Sequence, residues 1–100
     1  MYEIEKTNHF DTWLRKIKDL RAKAKVLTRI KRIELGNLGD HKSLGGGLCE
    51  LRIAYGPGYR VYLTRIEDRI ILLLVGGDKS TQSKDIAKAK NLIRHLGEQE

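Results

Sequence analysis

Apolar and polar residues change period repeatedly along this chain, and each change marks a new element. Tyr2-Glu3-Ile4-Glu5-Lys6 alternates, but so briefly that it predicts only an edge strand. From Phe10 the spacing lengthens: Phe10, Trp13, Leu14, Ile17 and Leu20 recur every three or four residues and fall on one helical stripe. Thr7 or Asn8 stands where a cap belongs, because a short side-chain oxygen accepts from an otherwise unpaired backbone N–H. Asp19 reads as a second N-cap, opening a helix from about Leu20 to Leu35 with Val26, Leu27, Ile30 and Ile33 inward. Gly36-Asn37 supplies the left-handed residue that commonly ends a helix. Two helices joined so tightly are expected to form an antiparallel hairpin. Residues 36–47, punctuated by glycines, then read as a loop.

The period next falls to two. Leu48 to Ala54 and Tyr59 to Ile66 read as strands around Tyr55-Gly56-Pro57-Gly58, where proline fixes φ and glycine permits a positive φ. After a turn at Glu67-Asp68, Ile70-Ile71-Leu72-Leu73-Leu74-Val75 is apolar on both faces, as in a strand covered above and below. The second cover is a closing helix from about Thr81 to Leu96, with Ile86, Ala89, Leu92 or Ile93, and Leu96 inward and Ser80 or Thr81 as cap. Strand, helical hairpin, three-stranded antiparallel meander and C-terminal helix make an α+β domain with one mixed sheet.

Composition narrows the class. One hundred residues support a single domain, and 33% charge with 40% apolar residues is globular rather than disordered. Twenty lysines and arginines against 13 acids give a net charge of +7, which favours a polyanionic partner. The lone cysteine, Cys49, excludes an internal disulfide and fits a reducing cytosol. No signal-peptide pattern opens the chain and no apolar run reaches the roughly 20 residues of a membrane span, so a cytoplasmic protein without a membrane partner is expected.

Most catalytic schemes find no residues here. His9, His41, His95 and Cys49 lack zinc-ligand spacing, so neither a metal nor a cofactor is expected. Gly45-Gly46-Gly47 lacks the lysine that completes a phosphate loop, and no serine sits in a nucleophile elbow. The meander is more informative. Alternation sends Cys49, Leu51, Ile53, Val61 and Leu63 inward and puts Glu50, Arg52, Arg60, Tyr62 and Thr64 on the other face. Asp78-Lys79-Ser80-Thr81-Gln82 follows the apolar strand and opens the last helix, whose free N–H groups favour an anion.

Arg52, Arg60 and Lys79 are therefore placed to neutralise charge on a phosphodiester, and Tyr62 to stack a base or relay a proton. Gln82 would orient the substrate or Lys79, with Asp78 beside it. An ordinary polar sheet face, with Glu50 and Arg52 in a weak surface pair, accounts for the same pattern. The basic helical face from Arg21 to Arg32 is equally two-sided: a solvated surface, or RNA-backbone contact through Arg29 and Arg32, with Lys42 as a further contact.

These residues resemble the RelE/ParE superfamily of type II toxins, most closely its HigB-like "addiction module killer protein" branch. The likeness runs almost end to end, through Phe10-Asp11-Thr12-Trp13-Leu14, Gly36-Asn37-Leu38-Gly39-Asp40, Glu50-Leu51-Arg52-Ile53, Gly56-Pro57-Gly58-Tyr59-Arg60-Val61-Tyr62 and Gly76-Gly77-Asp78-Lys79-Ser80-Thr81-Gln82, then Asp85-Ile86-Ala87 with Ala89. It implies a RelE-like fold and a cognate antitoxin, expected to be a helix-turn-helix DNA-binding protein. It further implies metal-free cleavage of mRNA on the ribosome, by attack of a ribose 2′-OH on the adjacent phosphate. In that family basic residues of the concave sheet face carry the phosphate work. Arg60 matches its strand arginine, Lys79 its basic residue after the last strand, and Arg52 is a looser match. The C-terminal tyrosine of RelE has no counterpart: Asp85 stands about where it would fall, and His95 lies too far along to replace a HigB tail histidine. Tyr62, Asp78 and Asp85 remain as candidate proton acceptors. ParE relatives poison DNA gyrase instead, so an inhibitor without nuclease activity is the alternative, and a module that only receives its antitoxin is a third.

Overall fold

The computed structural model describes residues 1–98, and its elements follow the changes of period. They are β1 (Glu3–Lys6), α1 (Asn8–Lys16), α2 (Leu20–Glu34), β2 (His41–Gly45), β3 (Leu48–Ile53), β4 (Tyr59–Glu67), β5 (Ile70–Asp78), a 3₁₀ turn (Lys79–Thr81) and α3 (Gln82–Glu98). The strands form one sheet in the order β1-β5-β4-β3-β2. β1 runs parallel to β5 at the edge, and every other pairing is antiparallel. This is the α+β class with one mixed sheet that the periodicity implies, in the RelE-like arrangement that the resemblance implies.

One element differs. The segment read as a loop over 36–47 contains β2, which pairs with β3 from His41↔Leu51 to Gly45↔Leu48. The meander thus has four strands. The glycines misled because they punctuate the ends of β2: Gly39, Gly45, Gly46 and Gly47 all adopt positive φ, which turns the chain into and out of the strand.

Each face of the sheet has its own core. α1 and α2 bring Phe10, Leu14, Val26 and Ile33 against Leu51, Ile53, Val61, Leu63, Ile71 and Leu73. On the opposite face, α3 sets Ala89, with Ile86, Leu92, Ile93 and Leu96, against Leu48, Tyr62, Leu72, Leu74 and Val75. The run at 70–75 is apolar on both sides for this reason, although β4 is the middle strand. Each fully buried leucine or phenylalanine contributes about 1.5–3 kcal/mol. Two stripe positions are corrected. Leu20 is 79% exposed, because α1 stops at Lys16 and the break resets the helical phase, giving Ala22 the inward place. Leu27 is 49% exposed, because it lies one residue round α2 from the inward line of Ala22, Val26 and Ile33.

Caps fix the helix ends. Thr7 Oγ1 accepts from Phe10 N at 3.1 Å and donates to Leu74 O at 2.6 Å, tying the start of α1 to β5. Asp19 accepts from Arg21 N and Ala22 N; the Ala22 bond is the main reason its carboxyl lies below the usual range. At the end of α2, Gly36 N bonds Ile33 O and Asn37 N bonds Arg32 O, the paired closure of a Schellman turn.

A bulge sets the geometry that matters most. Tyr62 pairs Val75 and Leu63 pairs Leu73, so Leu74 is an extra residue on β5. Leu74 and Val75 both face α3, which shifts the alternation beyond them. A Cβ at Gly76 would lie 2.0 Å from Trp13 Cε3, and one at Gly77 would lie 1.9 Å from Asp85 Oδ2. The two glycines therefore let α1 and α3 touch the β5 backbone from opposite sides.

Candidate functional site

Antiparallel register partners share a face, so pairing alone assembles the site. Lys42, Glu50, Tyr62 and Val75 form one row across β2–β5, and Arg52, Arg60 and Gly77 form the next. Both rows lie on the side covered by the start of α3. Arg52 and Arg60 are direct cross-strand neighbours, an arrangement that repels unless a negative charge lies close.

Glu50 supplies that charge. Expected in a surface ion pair, it is instead 2% exposed, with Oε1 3.4 Å from Arg52 Nε. Its other oxygen accepts from Gln82 Nε2 at 2.8 Å, so Gln82 holds Glu50 rather than Lys79. Glu50 is the main residue that the sequence pattern undervalues. Its signal is parity: it shares a face with Tyr62, and the doubly apolar run at 70–75 already requires a second core there.

Tyr62 is wholly buried, which removes it as a platform for stacking a base. Burial, then the charge of Glu50, pushes its phenol well above the usual range, so it stays protonated and cannot act as a base near neutrality. Its hydroxyl, Arg52 Nε and Arg60 Nε are buried without a hydrogen-bond partner among the described residues. The Arg52–Glu50 contact is thus an ion pair rather than an aligned hydrogen bond.

Lys79 joins from the turn after β5. A Cβ at Gly58 would lie 3.6 Å from both Arg60 Nη1 and Lys79 Cβ, so guanidinium and lysine stem flank one glycine. Gly58 has a φ of +81°, a conformation open to it because it lacks a side chain. Asp78, read as a substrate contact, is the cap expected of Ser80 or Thr81. It accepts from Ser80 N at 2.8 Å and from Ser80 Oγ, while its own N–H donates to Thr81 Oγ1. Asp85 Oδ2 accepts from Thr81 Oγ1 at 2.6 Å and rests against Gly77, the register partner of Arg60.

The remaining candidates divide. Lys42 lies on β2, exposed, in the row of Glu50. Arg29 is committed to the backbone, its terminal nitrogens donating to Arg52 O at 2.5 Å, Leu38 O at 2.7 Å and Asp40 O at 2.9 Å. Arg32 is exposed on α2, the helix covering the opposite face. Burial raises the Cys49 thiol, which keeps it a poor nucleophile. Among the described residues no cluster of His, Cys, Asp and Glu side chains could hold a metal, and no helix is long and apolar enough to cross a membrane.

Residues 12–94 match the family described as "Phage derived protein Gp49-like (DUF891)". An "Uncharacterized protein" of Haemophilus influenzae Rd is 56% identical over 95 residues, spanning 95% of this chain and 96% of that protein.

Proposed function

Because this chain belongs to the Gp49-like family, a family of RelE-like addiction-module toxins, we propose that it is the toxin of an antitoxin-controlled pair and cuts mRNA on the ribosome. The observation that carries this reading is the convergence of Arg52, Arg60 and Lys79 around one end of β4 and β5. Three cations within reach of one point suit a single phosphodiester whose oxygens gain charge during attack. The ribose 2′-oxygen forms a bond to the adjacent phosphorus while the bond to the 5′-oxygen breaks, leaving a 2′,3′-cyclic phosphate and a 5′-oxygen that takes a proton from water to become a hydroxyl.

Asp85 takes the 2′-OH proton in this scheme. Asp78 accepts two cap bonds from Ser80 and stands opposite Tyr59, which packs on the other core, and Tyr62 is sealed beneath α3, whereas Asp85 accepts from Thr81 and adjoins the backbone opposite Arg60. Arg60 and Lys79 receive the charge on the non-bridging oxygens, and Lys42 extends the basic surface along the same face. The cognate antitoxin, proposed to be a helix-turn-helix DNA-binding protein, silences this surface.

The test is a purified translation system. Added protein should cut mRNA only when ribosomes are present, and Arg60→Ala or Lys79→Ala should abolish cutting. Intact transcripts together with arrested gyrase supercoiling would replace this reading with the gyrase-directed one.

A further inference from the structure

We infer that Glu50 is a positioning residue which, clamped by Gln82, holds the Nε edge of Arg52 so that only the terminal nitrogens of that arginine meet a phosphate. The inference deepens the ribonuclease reading and rests on it, because it concerns the same arginine.

The geometry is specific. Glu50 is 2% exposed, so its carboxylate is out of reach of substrate, while the Arg52 side chain remains 37% exposed. Oε1 faces Arg52 Nε at 3.4 Å and Oε2 is tied to Gln82 Nε2 at 2.8 Å. An arginine binds an oxyanion in two ways, through Nε with one terminal nitrogen or through both terminal nitrogens. Glu50 leaves only the second. A long side chain with several rotamers is thereby confined to one approach before substrate arrives, which is how a positioned charge gains catalytic value.

Burying a carboxylate is costly unless its lone pairs are met, and a leucine at this strand position would pack against Leu48 and Tyr62 without that cost. The placement also relieves the repulsion between Arg52 and Arg60, which are direct register partners. Gln82 comes from the first turn of α3, so the clamp ties the arginine's orientation to the docking of that helix.

The test uses steady-state cleavage by the full chain with Glu50→Gln, Gln82→Ala and Arg52→Ala. Glu50→Gln should lower kcat at least tenfold with KM within about twofold, and Gln82→Ala should do the same more weakly. Combining Glu50→Gln with Arg52→Ala should add nothing to Arg52→Ala alone. Multiplying effects, or a rise in KM at constant kcat, would overturn the inference. A wild type that never cuts RNA would sink the ribonuclease reading, and the decision on Glu50 then passes to NMR of the ligand-free protein. There the Arg52 Nε–H resonance, which lies against the Glu50 carboxylate, should shift clearly in Glu50→Gln; an unchanged resonance would overturn the positioning role. Gln82→Ala, which removes no buried charge, gives the same NMR readout should Glu50→Gln fail to fold.

Discussion

Arg29 on α2 and Arg60 on β4 are both half-buried arginines whose Nε lacks a hydrogen-bond partner among the described residues, yet their outer nitrogens meet different surroundings. Arg29 reaches three backbone carbonyls and joins α2 to the end of β3 and to the chain entering β2. Burial lowers its pKa, and because a guanidinium stays protonated in proteins it is a charged strut. Arg60 has one long contact, 3.4 Å to Tyr59 O, and stands beside Arg52 and Lys79. An arginine whose donors are matched by the protein stabilises the fold; one whose donors are unmatched, among other cations, is available to a ligand.

The contrast breaks most sharply at Arg60. Arg60→Ala should reduce ribosome-dependent cleavage at least about 100-fold, or about 2.7 kcal/mol of barrier, while chemical denaturation shifts by less than about 1 kcal/mol. A large loss of stability would make Arg60 a strut like Arg29. Arg29→Ala should show the mirror image. Losing the charged donor to three carbonyls should cost about 2–3 kcal/mol, read as an earlier urea midpoint, with cleavage per folded molecule unchanged. Arg29→Lys should recover little of this, since an ammonium cannot span the same three oxygens.

The next pair sharpens the division between faces. Lys42→Ala, on the row of Glu50, should weaken RNA binding a few-fold and reduce the salt slope by about one. Arg32→Ala, on the opposite face, should leave both unchanged in a filter-binding titration. Equal effects would extend the RNA surface onto α2.

Tyr62→Phe is expected to be the mildest change at neutral pH. Because the folded-state pKa of Tyr62 is raised, the folded protein retains a proton that the unfolded chain loses above about pH 10. Its contribution is complete below that pH and is lost as pH rises further. Wild type should therefore lose stability on alkalinisation faster than Tyr62→Phe, with cleavage at neutral pH little altered; collapse of cleavage instead would restore Tyr62 as a proton relay.

Much of this is legible in the sequence, at positions where local chemistry acts alone. Thr7 and Asp19 cap where a short oxygen-bearing residue precedes a helical stripe, and Gly36 ends α2 where positive φ is needed. Alternation puts Arg52 and Arg60 on one face because the period of a strand is fixed by its backbone. β2 escapes detection for a matching reason: its five residues are largely exposed and flanked by glycines, so no periodic burial marks them. The cap falls at Asp78, two or three residues before the expected Ser80 or Thr81, because a 3₁₀ turn precedes α3.

The order of elements, the apolar stripes and the basic excess belong to the sequence, since they follow from spacing and charge along one chain. Which arginine becomes a strut and which stays open was decided by tertiary structure. Arg29 meets carbonyls up to 23 positions away, Glu50 meets an amide 32 positions away, and one extra residue on β5 turns Gly77 toward Asp85. Hydrogen bonds and burial act over a few ångströms of space, and distance along the chain carries no record of that proximity.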